Sequence, residues 1–347
     1  DNHQLNNENV TAYSAVFPGF RYDESAIIDD FLKTCRHVRS VKLSLEKPDL
    51  FNSINKFVYG MGEPVFSATS FAHYTLMKDI SKQNVKVVLN GQGADEVWGG
   101  YDRYFIGYFL LDILMRSPHK FISQANAIFG KMKFSYKYIL MQTLKALSSR
   151  KYASYLRAKY AHKVLSCMSK DFTRNNYNYF KNSEYKKLSS GNLSGYMKYN
   201  IEYQGFNQIL HYEDHSSMQN SIEMRSPFID YRLVELAFTL PSEKKIDNGI
   251  TKKILRDIFN DKLPSSIINN YKKIGFVTPF ENWINEKSSV KFINEMLNSD
   301  SFKNKKIFDP KKVKKKFSDS SDKDINFPYW RFINLELWSQ VYGIKNL

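Results

Sequence analysis

Residues 90–100 have the sequence Asn-Gly-Gln-Gly-Ala-Asp-Glu-Val-Trp-Gly-Gly and follow a short apolar run at residues 85–89. The apolar run predicts a buried β-strand, and the glycines predict a loop whose backbone N–H groups face an anion. Asp95 and Glu96 would place oxygen ligands beside that anion, which suits Mg²⁺ held between protein and phosphates. The same residues also fit an ordinary strand-to-helix turn with two solvated acids in the first helical turn.

The loop does not match the two commonest nucleotide-binding motifs. A dinucleotide fingerprint needs Gly or Ala three positions after its second glycine, and Glu96 occupies that position. A Walker loop needs Gly-Lys followed by Ser or Thr, and the sequence contains no such run. We therefore expect an anion-binding loop of another class.

Strand and helix patterns alternate in the first third of the chain. Strands are predicted at residues 11–17, 38–43 and 85–89, and helices at residues 23–34 and 67–81. Such alternation predicts an α/β fold with a parallel sheet, in which ligands lie beyond the carboxyl ends of the strands. The loop at Asn90 and the strand end at Val16 both fall at such positions.

The strand patterns fade after about residue 103, where helical spacing takes over. Helices are predicted at residues 104–115, 195–218, 230–239 and 251–260. We therefore expect an α/β nucleotide-binding part over residues 1–102 and a mainly helical part over residues 103–347. The many aromatic residues of the second part are expected to form core.

Composition limits the classes of function. The 51 Lys and Arg residues exceed the 35 Asp and Glu residues, for a formal charge of +16, which raises the hypothesis of a nucleic-acid-binding module. The excess is mostly lysine and is spread along the chain, so a general compositional bias is favoured over a binding surface. The run at residues 311–316 is expected to be a solvated helix face or loop.

The chain shows no sign of a membrane or secreted protein. No apolar run is long enough to cross a bilayer, and the polar N-terminus predicts no signal peptide. Cys35 and Cys167 form no Cys-x-x-Cys motif, which argues against a disulfide framework or a zinc site. These features favour a cytoplasmic protein.

A second polar cluster spans residues 211–230. Glu223 and Arg225 are interleaved with apolar residues, which predicts the wall of a pocket. His211 and His215 share a helix face, but Tyr212 stands where a metalloprotease helix carries glutamate, so a metal role is disfavoured.

A third cluster comprises residues 251–256 and 272–276, which read Thr-Lys-Lys-Ile-Leu-Arg and Lys-Lys-Ile-Gly-Phe. The glycine after two lysines predicts a turn that directs a lysine inward. A lysine directed at the acidic loop would neutralise charge developing on a phosphate or carboxyl adduct. Ordinary surface lysines are the alternative.

Taken together, the three clusters resemble the synthetase domain of the asparagine synthase family, whose relatives include β-lactam-forming synthetases and lasso-peptide cyclases. Residues 90–101 are similar to the family's Ser-Gly-Glu-Gly-Ala-Asp-Glu-Leu-Phe-Gly-Gly-Tyr loop. Residues 252–256 match its Lys-x-x-Leu-Arg motif, residues 273–276 match Lys-x-Gly-Phe, and residues 329–338 resemble its closing helix. The family's Asp-Arg-x-x-Met…Leu-Glu-x-Arg-x-Pro-Phe-Leu-Asp segment is matched at Asp214, Met218, Glu223, Arg225, Pro227, Phe228 and Asp230.

The resemblance implies a parallel-sheet core like that of the adenine nucleotide α-hydrolases, followed by a mainly helical half. It implies ATP-dependent amide synthesis in two steps. The β-carboxylate of aspartate first attacks the α-phosphate of ATP, and ammonia then displaces AMP to give asparagine. ATP and Mg²⁺ are the implied cofactors, and an N-terminal glutaminase domain supplies ammonia from glutamine.

The resemblance also implies a role for each matching residue. Asp95 would hold Mg²⁺, Lys273 would stabilise charge in both steps, and Glu223 would act as general base or orient ammonium. ATP or pyrophosphate would contact Val16, Asn90, Gly91, Gly93 and Lys252. The substrate would contact Gln92 and Asp214.

Two departures from the family pattern limit these expectations. The Ser-Gly-Gly-Leu-Asp-Ser pyrophosphate loop and the glutaminase domain are absent from the sequence, which predicts a C-terminal piece without ATP-dependent activity of its own. Gln92 stands where many members have Glu and the β-lactam branch has Tyr, and Gln carries no charge and cannot act as a base. A sugar acid or a peptide carboxylate therefore remains an alternative to aspartate as the acceptor. Assembly into a homodimer also remains open.

Overall fold

The computed structural model describes residues 10–35, 37–45, 50–147, 166–176, 192–203, 205–271, 273, 275–318 and 328–345. Within these ranges helices dominate, and the strands form two parallel pairs and one antiparallel hairpin. The α/β class predicted from the sequence is therefore confirmed. Within the predicted lysine segment at residues 272–276, Lys272 and Ile274 lie outside the described ranges.

The first parallel pair joins β1 (Val10–Val16) to β2 (Val38–Ser44) through helix α1 (Ser25–Leu32). The register runs without interruption from Val10 opposite Val38 to Val16 opposite Ser44. Asp23 Oδ1 accepts a hydrogen bond of 2.9 Å from the backbone N–H of Phe17, which closes the turn after β1. The crossover helix gives the parallel geometry that the strand–helix–strand pattern predicts.

The second parallel pair joins β3 (Val87–Leu89) to β4 (Glu223–Arg225), which comes much later in the chain. Helices α2 (Leu50–Met61) and α3 (Thr69–Ser81) precede β3. Both parallel pairs pack on one hydrophobic cluster, which contains Tyr13 and Leu43 from the first pair and Val88 and Met224 from the second.

The hairpin and the remaining helices complete the fold. The hairpin pairs β5 (Ile246–Asp247) with β6 (Ile250–Thr251). The remaining helices in chain order are α4 (Ala94–Trp98), α5 (Asp102–Arg116), α6 (Phe121–Met132), α7 (Tyr136–Leu147), α8 (Lys170–Asn175), α9 (Leu193–Tyr203), α10 (Phe206–Met218), α11 (Tyr231–Thr239), α12 (Ser242–Lys245), α13 (Lys253–Ile258), α14 (Ser265–Ile268), α15 (Phe280–Asn285), α16 (Lys287–Asn298), α17 (Asp300–Lys303), α18 (Pro310–Ser318) and α19 (Tyr329–Val341).

The single helix predicted at residues 195–218 is wrong, because the structure contains two helices there, α9 and α10. Gly205 precedes α10 with a φ of 90°. This left-handed conformation is accessible to glycine but interrupts an α-helix. The break lets α10 pack against α3 and against β4, where it reaches the loop at Asn90.

Two large aromatic clusters form most of the core. One surrounds α2, α3 and α19 and contains Phe57, Phe71 and Trp330, and the other surrounds α5 and α9 and contains Phe105 and Tyr196. In residues 103–347, aromatic residues such as Phe105, Tyr196 and Trp330 form core as predicted, whereas Tyr203 on α9 is exposed. None of the helices in the described part of the chain combines the length and apolar character needed to cross a membrane.

Candidate active site

The carboxylate of Asp95 lies between two lysine ammonium groups. Lys252 Nζ is 2.8 Å from Asp95 Oδ1, and Lys273 Nζ donates to Asp95 Oδ2. The Asp95 side chain is 15% exposed, and the lysine side chains are 28% and 27% exposed. Partial burial strengthens these ion pairs relative to pairs on an open surface. The structure thus brings the acidic loop and the two lysine segments together.

The glycines of the loop make this arrangement sterically feasible. A Cβ atom on Gly100 would lie 1.9 Å from Asp95 Oδ1 and 2.7 Å from Lys252 Cε. Gly93 has a φ of 90°, and its Cβ would lie 2.1 Å from the Ile229 side chain. Gly91 faces open space, since a Cβ there would meet no heavy atom within 4 Å. The loop is therefore tightly packed on one side and open at Gly91.

Arg256 ties together the two segments that carry the lysines. Its guanidinium donates to the backbone carbonyl of Thr251 at 2.9 Å, next to Lys252. It also donates to the carbonyl of Asn270 at 2.9 Å and to those of Ile267 and Ile268, a few residues before Lys273. One side chain therefore holds the hairpin end and the 267–270 segment in a fixed relation. The sequence pattern did not indicate this role.

Two carboxylates near Lys273, those of Asp95 and Glu96, have pKa values shifted in opposite directions. Burial acts to raise the pKa of Asp95, but the charges of Lys252 and Lys273 outweigh it and hold that pKa below its ordinary value. Burial raises the pKa of Glu96, although its carboxylate accepts a hydrogen bond of 2.5 Å from the Tyr101 hydroxyl. Lys273 Nζ also lies 5.6 Å from the centroid of the Tyr101 ring, a cation–π contact.

A second polar network is centred on the side chain of Asn90. Asn90 Nδ2 donates to Glu213 Oε2 at 2.9 Å, and Asn90 Oδ1 accepts from the Ser226 hydroxyl at 2.6 Å and from the Gln92 backbone N–H at 3.3 Å. Burial raises the pKa of Glu213 to about 7. Sequence reasoning missed Glu213 and Ser226, although each directly neighbours a residue of the matched motif.

A cavity of about 260 Å³ opens beside the two lysines. Its wall includes Glu24, Gly100, Lys252, Arg256, Tyr271 and Lys273. This volume has room for several water molecules or a small anion. Cationic groups on one wall make an anionic occupant the more favourable one.

Other residues singled out from the sequence lie apart from the Asp95 ion pairs. Val16 is buried at the carboxyl end of β1. Glu223 is exposed on β4 and pairs with Arg225 at 2.8 Å, and Asp214 is exposed on α10. Neither acid contributes to the ion pairs at Asp95 among the described residues.

The donor set at Asp95 fits Mg²⁺ by its chemistry, because carboxylate oxygens are the ligands that this ion prefers. Both Asp95 oxygens contact ammonium groups in the structure. In the described part of the chain, no group of three His, Cys, Asp or Glu side chains is arranged to hold a metal ion. The rings of His211 and His215 lie 4.0 Å apart at a tilt of 49°, His211 contacts Glu63, and His215 contacts the Gly60 carbonyl.

A glycine loop at the end of a parallel strand, with a carboxylate bridged by two lysines, defines a site for an anionic ligand in an α/β protein. The chain belongs to the asparagine synthase family, whose family model matches residues 2–340. The resemblance seen in the motifs is therefore confirmed over nearly the whole sequence.

Curated relatives agree with this assignment. The chain is 26% identical over 261 residues to asparagine synthetase [glutamine-hydrolyzing] 1 of Bacillus subtilis, covering 71% of this chain and 39% of that protein. It is 24% identical over 276 residues to a putative asparagine synthetase [glutamine-hydrolyzing] of Mycobacterium tuberculosis, covering 77% and 40%. The chain thus spans about two fifths of the length of these relatives, which are named as asparagine synthetases.

Proposed function

We propose that this chain is the synthetase part of an enzyme that makes asparagine from aspartate, ATP and ammonia. The observation that carries the proposal is the Asp95 carboxylate bridged by Lys252 and Lys273, directly after a glycine loop at the end of β3. Family membership supports the ATP-dependent amide synthesis. The names of the relatives support aspartate and glutamine as substrates of the intact protein.

The proposed core is a single parallel sheet of the adenine nucleotide α-hydrolase type. The shared hydrophobic cluster beneath both parallel pairs supports it, since one cluster covers β1, β2, β3 and β4. In such a sheet the carboxyl ends of β1 and β3 lie at one edge. The adenine would then contact Val16, and the phosphates would contact Asn90, Gly91 and Gly93.

In the first step the β-carboxylate of aspartate attacks the α-phosphate, and the bond to pyrophosphate breaks. Both reactants are anions, so cations must lie between them. Lys273 and Lys252 would supply this positive charge, and Lys252 lines the cavity where pyrophosphate would leave. Mg²⁺ bound at Asp95 would neutralise further phosphate charge. Once the phosphates bind, they would replace Asp95 as partners of the ammonium groups.

In the second step ammonia attacks the acyl carbon, and AMP leaves. Lys273 would stabilise the negative charge of the tetrahedral state. The hydrogen bond and the charge of Arg225 lower the pKa of Glu223, so Glu223 is ionised at neutral pH. An ionised carboxylate is suited to orient an ammonium ion and to accept its proton. Asp214 would meet the substrate amine, and Gln92 would contact the substrate as a neutral group.

The ammonia is proposed to come from a glutaminase domain of the intact protein, as the names of the relatives suggest. Cys35 and Cys167 are both free thiols, which supports the proposed cytoplasmic location.

The experiment is a pyrophosphate-release assay on the full-length protein with ATP, Mg²⁺ and ammonium chloride. Release that requires aspartate and yields asparagine is the expected result. If release does not depend on aspartate but requires another carboxylate, that carboxylate replaces aspartate as the proposed substrate. The neutral Gln92 side chain favours this alternative. No release with any carboxylate, together with DNA or RNA binding that weakens steeply with salt, would instead favour the nucleic-acid-binding module.

A further inference from the structure

The side chain of Asn90 joins its own loop to α10 and to the residue after β4, which lie 123 and 136 positions away in the sequence. Its Nδ2 donates to Glu213 on α10, its Oδ1 accepts from Ser226 after β4, and the same oxygen accepts from the backbone N–H of Gln92. The last bond spans two residues and forms an Asx turn, which fixes the backbone of the loop. The shape of the loop therefore depends on which way the Asn90 amide points.

Glu213 decides that orientation. An ionised carboxylate only accepts hydrogen bonds, so Asn90 must present its Nδ2 to Glu213. Its Oδ1 then faces the N–H of Gln92. The reversed amide would place two acceptors together at Glu213 and two donors together at Gln92. Ser226 does not select between the two orientations of the Asn90 amide, because a hydroxyl both donates and accepts.

We propose that Glu213 is a positioning residue that locks the Asn90 amide, and through it the turn at Gln92, in the geometry that binds the phosphates of ATP. The role in ATP binding rests on the proposed function. The lock itself rests on the hydrogen bonds alone. When Glu213 is protonated, its hydroxyl can donate to a reversed amide, so only the 3.3 Å bond from the Gln92 N–H still favours the observed orientation. The lock is then weaker.

Few charged groups face Glu213 from the elements around it. Helix α4 contributes Glu96, whose charge opposes ionisation of Glu213. Helix α3 contributes His73, which bonds to Ser216 and is neutral because burial lowers its pKa to about 4. On β4, Arg225 is paired with Glu223.

Helix α10 also packs against α2 and α9. His215 contacts the Gly60 carbonyl of α2, and on α9 Lys198 and Glu202 form an exposed pair with each other. Burial, reinforced by Glu96 and opposed by the bond from Asn90, raises the pKa of Glu213 to about 7. The lock should therefore weaken as the pH falls through about 7.

The first test is nuclear magnetic resonance on this chain labelled with [¹⁵N]glutamine, which needs no catalytic activity. The Gln92 amide signal, assigned by its loss in Gln92→Asn, should shift with a midpoint near pH 7. In Glu213→Gln it should stay constant near the low-pH position of the wild type, because the neutral Gln side chain both donates and accepts at every pH, as protonated Glu213 does. In the matched control Glu202→Gln, which changes an exposed acid, the shift should persist. A constant wild-type signal, or an unchanged midpoint in Glu213→Gln, overturns the proposal.

The second test separates the KM for ATP from kcat in the full-length enzyme. Glu213→Ala should raise this KM about tenfold at pH 8, the effect of losing one hydrogen bond to a charged group, with a smaller change in kcat. Glu213→Gln should hold the KM at every pH near the value that the wild type reaches below pH 7, because Gln resembles protonated Glu213. Equal KM values in all three proteins overturn the role in ATP binding. If the wild-type enzyme releases no pyrophosphate, the proposed function fails while the magnetic resonance test still decides the lock.

Discussion

At the scale of single residues, Asp95 lies at the centre of the candidate site. Its one negative charge faces the ammonium groups of Lys252 and Lys273, which come from segments far apart in the sequence. Further acidic groups interact with Lys273, namely Glu24, Glu96 and Asp102. Under the proposed function, the phosphates of ATP would take over a lysine and leave Asp95 to a metal ion.

Replacing Lys273 should abolish adenylation but leave the fold intact. Lys273→Met in the full-length protein should lower aspartate-dependent pyrophosphate release at least about 100-fold, the usual effect of removing one group that stabilises developing charge. Lys198→Met is the matched control, because Lys198 forms an exposed pair with Glu202 on α9. Equal loss in both variants, or no loss in Lys273→Met, would contradict the role of Lys273.

The loop glycines should differ sharply in their tolerance of a methyl group. Gly100→Ala pushes a Cβ against Asp95 and Lys252, so we expect it to lower the free energy of unfolding by about 1–3 kcal/mol. Gly91→Ala meets no atom within 4 Å and should leave the unfolding free energy nearly unchanged. Urea denaturation of both variants measures the difference. Equal stabilities would show that the packing around Gly100 is not tight.

At the scale of elements, the sequence predicted periodic structure well. The ends of β1, β2, α1 and α3 lie within about two residues of the predicted ends, because alternation and helical spacing are local properties. Strand β4 was missed, since it has three residues and two of them are charged. The Asn90–Glu213 and Arg256 contacts were missed because they depend on tertiary packing, which no local pattern encodes.

Two glycines inside helices offer a matched pair of tests. A Cβ on Gly107 of α5 would lie 2.2 Å from the Gln142 carbonyl of α7, so Gly107→Ala should separate these helices and destabilise the chain by about 1–3 kcal/mol. Gly130→Ala in α6 meets open space and should stabilise it by about 0.5–1 kcal/mol, because alanine favours helix. Shifts of the denaturant midpoint in the same direction for both variants would contradict the observed packing of α5 on α7.

His73 and Glu213 should make opposing contributions to the pH dependence of the unfolding free energy. His73, with its pKa lowered to about 4 from 6.5, binds a proton more readily when unfolded, so its contribution falls as the pH drops. Glu213, with its pKa raised to about 7 from 4.5, binds a proton more readily when folded, so its contribution rises as the pH drops.

Removing one of these effects should expose the other. Between pH 7 and 4.5, Glu213→Gln should lose about 3 kcal/mol more stability than the wild-type chain, from a pKa difference of about 2.5. Urea unfolding at several pH values measures this difference, and Glu202→Gln serves as the exposed control. Parallel stability profiles for wild type and Glu213→Gln would contradict the burial of an ionisable Glu213.

At the scale of the whole molecule, the aromatic core fixes elements from both ends of the chain. Trp330 Nε1 on α19 donates to the Val65 carbonyl at 2.9 Å, and Asn334 Oδ1 accepts from the Val65 backbone N–H at 2.6 Å. These bonds seat the C-terminal helix beside α2 and α3, the helices that precede β3. The helical half therefore supports the strand whose end carries the Asn90 loop.

The central claim is that the Asp95 site joins the aspartate β-carboxylate to the α-phosphate of ATP. The most direct measurement supplies the full-length protein with aspartate labelled with ¹⁸O in its β-carboxylate, and with ATP, Mg²⁺ and ammonium. Mass spectrometry should find one ¹⁸O atom in AMP, because the attacking oxygen stays on phosphorus when ammonia displaces AMP. AMP without ¹⁸O, or ADP and phosphate as the products, would contradict the claim.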